Sequence, residues 1–424
     1  MVGSPLPLEK QFCEEAKRRH KCYLFKLVSM DFWFPVVERR EGAALILVPE
    51  LKNVDKSLKD QDRIKAAVFY NPIMQLNRDT AVLILSILGD ELMRPTQVCE
   101  PMCGSGVRGV RFALEAGAGS VALSDLNPSG VELTEENIRR NGVGNIVRTR
   151  VMDANLLLNL HSSPNYRFDY VDIDPFGTPS PFLDSALRAT RDGGILALTA
   201  TDMAPLCGVN PAACLRKYGG KPIRCTYSHE VALRLLVGSA VRASAIHELA
   251  AVPVFSYYAD HYVRAYLRIN YSAKSADTAI ANMGYLVHCE KCLYRETMKG
   301  PYLKMGRSCP ECGTGMKVAG PMWLGELANP IICAKMLEKV EKTSTNWERR
   351  LESIIRSVRA EIGYPPTFIQ IDEISSHLHI GSQNLKALLI KLETVGYKAT
   401  ITHFSPRGVK TNATVSQLAN VLKD

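Results

Sequence analysis

Three groups of residues in this chain have types and spacing suited to chemistry. The first is the run Phe168-Asp169-Tyr170-Val171-Asp172-Ile173-Asp174-Pro175-Phe176-Gly177, in which an apolar strand ends on a carboxylate, a proline and an aromatic ring. The exocyclic amine of a flat base is a poor nucleophile because its lone pair is delocalised into the ring. A carboxylate and a neighbouring main-chain carbonyl, both acceptors only, take its two N–H bonds and aim the nitrogen at an electrophile, while an adjacent ring stacks on the base. Taken alone, the run reads as a buried strand closed by an ordinary Asp-Pro turn. What lies upstream changes that reading.

The second group begins with a strand ending at Cys99-Glu100. It runs into Pro101-Met102-Cys103-Gly104-Ser105-Gly106, where Gly104 and Gly106 let the backbone turn tightly and approach a ligand. About twenty residues after the glycines, Val121 to Asp125 reads as a strand ending in an acid placed for ribose hydroxyls. A third strand reaches Asp153-Ala154, whose acid can bind an adenine amino group. Acids thus arrive at the carboxyl ends of successive strands, where open α/β sheets bind ligands. A nicotinamide cofactor competes for such a loop. An acid, two nearby glycines and then Asp-Pro-Phe read better as an S-adenosylmethionine site. Cys103 sits beside the loop, but amine methylation needs no covalent thiol intermediate, so it reads as a small buried residue.

The third group is Cys289-Glu290-Lys291-Cys292 and Cys309-Pro310-Glu311-Cys312, two C-x-x-C knuckles sixteen residues apart. Four thiolates at this spacing reach one tetrahedral ion, and the hairpin between them carries Lys299, Lys304 and Arg307. A redox pair needs only one such motif, and a cytosolic chain keeps its thiols reduced. With four sulfur ligands and no open position, the expected ion is a structural zinc.

These groups need a scaffold. Between Gln97 and Met203 short apolar strands alternate with amphipathic helices, one of them expected from Val107 to Ala118, which predicts a parallel sheet covered on both faces. Val252 to Tyr258 and Tyr262 to Tyr271, joined around Asp260-His261, predict the antiparallel hairpin that closes a class I methyltransferase sheet. Lys335 to Glu361 reads as helical, and Tyr364-Pro365-Pro366 breaks the pattern. Ile371 to Leu378, Asn384 to Val395 and a hairpin from Tyr397 to Lys410 follow in winged-helix order, a unit suited to clamping RNA through phosphates and shape or to packing alone. His377 and His379 do not share a face and are not a metal pair. The expected fold class is α/β, a class I (Rossmann-like) S-adenosylmethionine-dependent sheet plus a C-terminal α+β domain with a zinc ribbon. The expected division is an N-terminal extension with leading strands (1–60), a methyltransferase domain (61–275) and a C-terminal RNA-binding domain (276–424), the last holding the ribbon (284–318) and the winged-helix-like unit (365–424).

The length of 424 residues suffices for two or three domains, and 46% apolar with 22% charged residues is a globular composition. The net charge of +9 fits a polyanionic partner, although the basic residues are spread along the chain; the densest run, Lys17 to Lys21, reads as a solvated helix face. No apolar run reaches the ~18 residues of a membrane span, and charges from Glu9 onward interrupt any signal-peptide pattern. A cytoplasmic location is expected, with no membrane and no evident stable protein partner.

Several short stretches together resemble one family, the tRNA guanine-N2 dimethyltransferases, which act on guanosine 26 at the hinge between the D and anticodon stems. They are Phe69-Tyr70-Asn71-Pro72, Asn77-Arg78-Asp79, Gly104 to Arg108, Asp174 to Gly177, Tyr227-Ser228-His229-Glu230, Gly320-Pro321-Met322-Trp323 and Thr402 to Pro406. The resemblance covers the chain from about Glu41 to its end. It implies that Asp174 and the Pro175 carbonyl hold the guanine amine, that Phe176 and Phe69 pack against the base, and that Arg78, Arg108, Asp125, Asp153 and Ala154 line the S-adenosylmethionine pocket. Glu100 stands where the family more often has Asp, and Asn412 replaces an acid. The implied reaction is stepwise mono- and dimethylation of N2 in tRNA. Methylation of guanine N2 or adenine N6 in rRNA or DNA, and an inert zinc-ribbon RNA-binding protein, are the alternatives.

Overall fold

The computed structural model describes residues 32–50, 67–302, 308–343 and 346–423; the Lys17–Lys21 run, Lys304 and Arg307 lie outside them. The chain opens with an antiparallel hairpin, β1 (Val36–Glu41) and β2 (Ala44–Pro49). Asn71, whose side chain accepts the Ile73 N–H, caps a short turn leading into α1 (Gln75–Leu92). Five βα steps follow: β3 (Thr96–Glu100), α2 (Val107–Glu115), β4 (Ala118–Asp125), α3 (Pro128–Arg140), β5 (Val147–Val151), α4 (Ala154–Leu160), β6 (Phe168–Ile173), α5 (Leu183–Ala189) and β7 (Thr190–Ala200), then α6 (Met203–Leu206), α7 (Pro211–Tyr218) and α8 (Ser228–Ala245). The hairpin β8 (Leu249–Ala259) and β9 (Tyr262–Tyr271) completes a seven-stranded sheet of order β5-β4-β3-β6-β7-β9-β8. β3 to β7 run parallel, whereas β9 pairs antiparallel with β7 and β8. Every residue of β6 is buried, as a parallel strand covered on both faces requires.

After α9 (Ala273–Ala281), strands β10 (Met283–His288), β11 (Arg295–Lys299) and β12 (Lys317–Trp323) form a second sheet of order β11-β10-β12. Helices α10 (Pro330–Lys342) and α11 (Leu351–Ala360) come next. The chain ends with β13 (Ile369–Gln370), α12 (Ile371–His377), α13 (Leu385–Thr394), β14 (Ala399–Ile401), β15 (Gly408–Thr411) and α14 (Val415–Lys423), the three strands pairing as β13-β15-β14.

Two expected helices have different limits. The one expected to reach Ala118 stops at Glu115, because Ala118 already pairs with Thr96 as the first residue of β4. The stretch from Lys335 to Glu361 is two helices: α10 ends at Lys342, the extended backbone of Thr343 leaves it, and the Glu348 N–H donates to the Asp79 carboxylate before α11 begins.

Each face of the main sheet is covered by segments distant in sequence. On one face, Val231, Leu235 and Val241 of α8 share a core with Leu286, Met322 and Trp323 of the second sheet. Gly238 allows this approach, since a Cβ there would stand 2.9 Å from Met283 Cε and 3.0 Å from the Trp323 nitrogen. On the other face, Leu83, Ile84 and Ile87 of α1 lie with Ile332, Met336 and Ile355 of α10 and α11.

A buried ionic tether joins α8 to the last sheet. Glu230 is fully buried and accepts from Lys410 Nζ at 2.6 Å, from Arg234 Nε at 3.0 Å and from the Phe368 N–H at 3.0 Å. Burial pushes its carboxyl up, but the Lys410 and Arg234 cations outweigh burial and leave it lowered to about 2. Removing one partner of such a group strands the others without compensation. Glu230→Ala is expected to cost about 3–5 kcal/mol in urea unfolding at neutral pH. Because the folded carboxyl lies below its ordinary 4.5, this contribution is present above pH 4.5 and disappears as pH falls toward 2. The gap in unfolding midpoint between wild type and variant should narrow over that interval.

Candidate active site

The carboxyl ends of β3, β4, β5 and β6 open onto one cavity of about 410 Å³. Phe69, Arg78, Glu100, Gly104, Arg108, Asp125, Asp153, Ala154, Asp174, Pro175 and Phe176 all line it. Gly106 does not; it stands behind the loop as the N-cap of α2. Its φ of +70° and the 2.4 Å that would separate a Cβ from Thr134 leave room for glycine alone.

The loop between β3 and α2 is fixed by its neighbours. Asp125 accepts the Gly104 N–H at 2.8 Å and the Asn127 N–H at 2.9 Å, Thr134 Oγ1 donates to the Gly104 carbonyl, and Asn137 donates to the Ser105 carbonyl. Asp153 caps α4 by accepting the Leu156 N–H, which leaves carboxylate lone pairs for a ligand. Leu126, 68% exposed, presents an apolar surface beside Asp125.

Glu100 is 4% exposed. Its Oε1 lies 3.3 Å from Arg108 Nη1, and its Oε2 is a buried acceptor with no partner in the protein. Burial raises the carboxyl to about 8 despite Arg108, helped by the neighbouring Asp172 and Asp174 charges. Cys103 is buried as expected, and burial pushes its thiol up, the wrong direction for a nucleophile.

Beneath the cavity lies a cluster of charges. Arg108 ion-pairs with Asp174 Oδ2, donates to Asp172 Oδ1 at 2.8 Å and to Asn77 Oδ1 at 2.9 Å. Arg264 on β9 in turn donates to both Asp172 oxygens, at 2.9 and 2.6 Å, and to Thr199. Two guanidiniums thus balance the two aspartates. Asp174 keeps Oδ1 as an acceptor beside the cavity. Phe69 and Phe176 meet edge to face with ring centres 4.7 Å apart, and Phe176 is 59% exposed. Arg78 is held by the hairpin, its Nε and Nη2 lying 2.5 and 2.6 Å from the two Glu41 oxygens.

Sequence reasoning passed over Glu41, Asn77, Asp172 and Arg264. Asp172 stood inside the Phe168–Gly177 run and Asn77 beside Arg78, and a carboxylate in the middle of a fully buried strand is itself a signal that a cation must face it. Glu41 and Arg264 carry no local signal, since their partners lie 37 and 92 residues away.

The residues fit S-adenosylmethionine: an unpartnered buried carboxylate oxygen at Glu100 suits an ammonium, Asp125 and Asp153 supply acceptors, and Leu126 supplies an apolar surface for a purine. The loop spells G-x-G-x-x-G from Gly104 to Gly109, so its letters alone do not choose between cofactors.

The four cysteines also converge. Their sulfur atoms lie within 4.8 Å of one another, with Cys289–Cys312 and Cys292–Cys309 both at 3.4 Å. That is far beyond the ~2.05 Å of a disulfide and near the edge of a tetrahedron built on ~2.3 Å zinc–sulfur bonds. Cys289 follows β10 directly, and its N–H donates to the Tyr294 carbonyl to close one knuckle, as the Cys309 N–H donates to the Thr314 carbonyl in the other. The set could hold a structural metal.

The parallel sheet with its antiparallel penultimate strand, and the acids around one cavity, define a class I methyltransferase fold. The family model for N2,N2-dimethylguanosine tRNA methyltransferase matches residues 42–423, and the chain belongs to that family. A tRNA (guanine(26)-N(2))-dimethyltransferase of Methanobrevibacter smithii is 37% identical over 90% of this chain and 96% of its own length; that of Methanothermobacter thermautotrophicus is 36% identical over 90% and 97%. The solved structure of Trm1 from Pyrococcus horikoshii in complex with S-adenosyl-L-methionine superimposes with a TM-score of 0.79 at 34% identity, over 91% of this chain and 99% of that one.

For the ribbon, elemental analysis of protein purified without chelator should find about one zinc per chain. Cys309→Ser should release it and lower the thermal midpoint, because metal binding supplies folding free energy. Metal-free protein with an unchanged midpoint would remove the metal from the ribbon.

Proposed function

We infer that this protein transfers methyl groups from S-adenosylmethionine to the N2 amine of guanosine 26 in tRNA, first giving N2-methylguanosine and then N2,N2-dimethylguanosine. The observation that carries the reading is the meeting of Asp174, clamped by Arg108, with the Phe69–Phe176 pair in the same cavity as the carboxylates of Glu100, Asp125 and Asp153. The activity carried by the relatives' names favours tRNA over rRNA or DNA. A tRNA substrate and four reduced thiolates are both at home in the cytoplasm, where we place the reaction. Among the described residues no helix is long and apolar enough to cross a membrane.

When bound, S-adenosylmethionine supplies an electrophilic methyl group on a sulfonium whose sulfur leaves as a neutral thioether. In our assignment Asp125 accepts from the ribose, Asp153 and the backbone at Ala154 contact the adenine, and Glu100 and Arg78 serve the amino-acid end. The target base sits in a stacked junction and must be extruded, at a cost of a few kcal/mol offset by other tRNA contacts. Phe176 then offers its exposed face to the base. Asp174 and the Pro175 carbonyl accept the two N2 hydrogens, so that the nitrogen lone pair points at the methyl group. As the N–C bond forms, the amine proton passes toward Asp174 and out to solvent. After one transfer a single N–H remains, still within reach of either acceptor, and the first methyl rests against Phe69 and Phe176.

Asp174→Ala should reduce single-turnover methylation by about 10²–10³-fold while S-adenosylmethionine still binds, as the acceptor is lost and the cofactor acids remain. Near-normal turnover would dismiss Asp174 as the acceptor. In a quenched time course the monomethyl nucleoside should precede the dimethyl one. Phe69→Asn should slow the second step about fivefold more than the first, since a methyl against an amide forfeits about 1 kcal/mol of burial felt only by the methylated substrate. An unchanged ratio of the two rates would place Phe69 outside the methyl berth.

A further inference from the structure

The connection from β7 to α8 runs from 201 to 227, far longer than the ~2–6 residues usual for a βα loop. It leaves the carboxyl end of β7, next to the end of β6 that carries Asp174, so it lies beside the mouth of the cavity. Thr201 lines the cavity and is tied to the Asp174–Gly177 loop twice: its N–H donates to the Gly177 carbonyl at 2.9 Å, and its hydroxyl accepts the Gly177 N–H at 2.8 Å. The neighbouring Asp202 receives Lys217 Nζ at 2.9 Å and the Tyr218 hydroxyl, which pins α7 against that loop. At its far end, Lys221 exchanges both backbone hydrogen bonds with Gly320 of β12, each 2.8 Å. One segment therefore bridges the catalytic loop and the ribbon sheet.

The charges on that bridge are one-sided. Residues 201–227 contain Arg216, Lys217, Lys221 and Arg224 against the single acid Asp202, which Lys217 and Tyr218 already occupy. Arg216, Lys221 and Arg224 are exposed and have no ion pair among the described residues, unlike most arginines of the sheet. Val209 and Leu215 of the same segment are also exposed, at 58% and 55%. Three free cations with no acid left to pair with them, on a segment that also exposes apolar side chains, suit a phosphate backbone and its sugars better than a protein surface.

We propose that Arg216, Lys221 and Arg224 form an RNA-docking rail that grips the phosphates flanking the extruded guanosine, aligning the substrate between the cavity and the ribbon. The inference rests on the functional reading given above. The rail acts on the RNA alone and touches neither the cofactor nor the reacting nitrogen.

The test is titration of full-length protein with unmodified tRNA by fluorescence anisotropy at several salt concentrations, with methyl transfer followed separately. The variant Arg216→Ala/Lys221→Ala/Arg224→Ala should bind tRNA at least tenfold more weakly near 0.15 M salt. Its log–log salt slope should be shallower by about 2–3, at ~0.7–0.9 per lost phosphate contact. Its thermal midpoint and its affinity for S-adenosylmethionine should match wild type, and Arg216→Lys should retain most of the affinity. A triple variant with wild-type affinity and salt slope overturns the rail. Loss of affinity with an unchanged slope also overturns it, because the residues would then be acting through structure. Wild-type protein that binds tRNA with the expected slope but transfers no methyl group to it sinks the functional reading and leaves the rail standing.

Discussion

The Arg108 guanidinium, buried between Asp172 and Asp174, is the interaction on which the rest of the site depends. Bringing a carboxylate to the end of a dry parallel strand costs several kcal/mol unless a cation meets it. Here one cation meets two acids, and the surplus charge on Asp172 is taken up by Arg264. Arg264 reaches Asp172 from β9, where it stands opposite Thr199 of β7, so the register of that strand and the orientation of Asp174 are parts of one electrostatic solution. Asn77 and Thr199 complete it, joined to each other at 3.1 Å and to the two guanidiniums.

The same logic explains why Glu100 is set apart. Burial raises its carboxyl to about 8, because Arg108, already shared by two aspartates, offsets only part of the cost for a third buried acid. A glutamate in this state gains most from a ligand that brings its own positive charge. The cavity is thus more complete electrostatically with an ammonium in it than without one, which gives a physical reason for a long acidic side chain at the end of β3.

Much of the scaffold was legible in the sequence because its signals are local. Apolar runs ending in acids marked β3, β4 and β6, glycines marked the loop before α2, and paired C-x-x-C knuckles marked the ribbon. Helix ends were less legible: nothing between Glu115 and Ala118 announces that pairing with Thr96 takes over, and the break after α10 depends on Asp79, more than 260 residues earlier. The charge partners were the least legible. Arg78 stood out from its own neighbourhood, but nothing there announced Glu41, which takes its Nε and one Nη2 donor from a hairpin that no periodicity links to it. Such pairings depend on three-dimensional closure, and a residue's neighbours in sequence carry no record of them.

The cover of the main sheet has a consequence for how such a protein can change over time. Helix α1 near the beginning is roofed by α10 and α11 near the end, and α8 by the ribbon strands, so neither face is dry until the last third of the chain is in place. A gene fusion or recombination event that exchanged everything after β9 would bare two apolar surfaces on the catalytic unit at once. The two halves must therefore be inherited together, and substitutions at Ile84 or Val237 are constrained by Met336 and Trp323 as firmly as by anything within their own half.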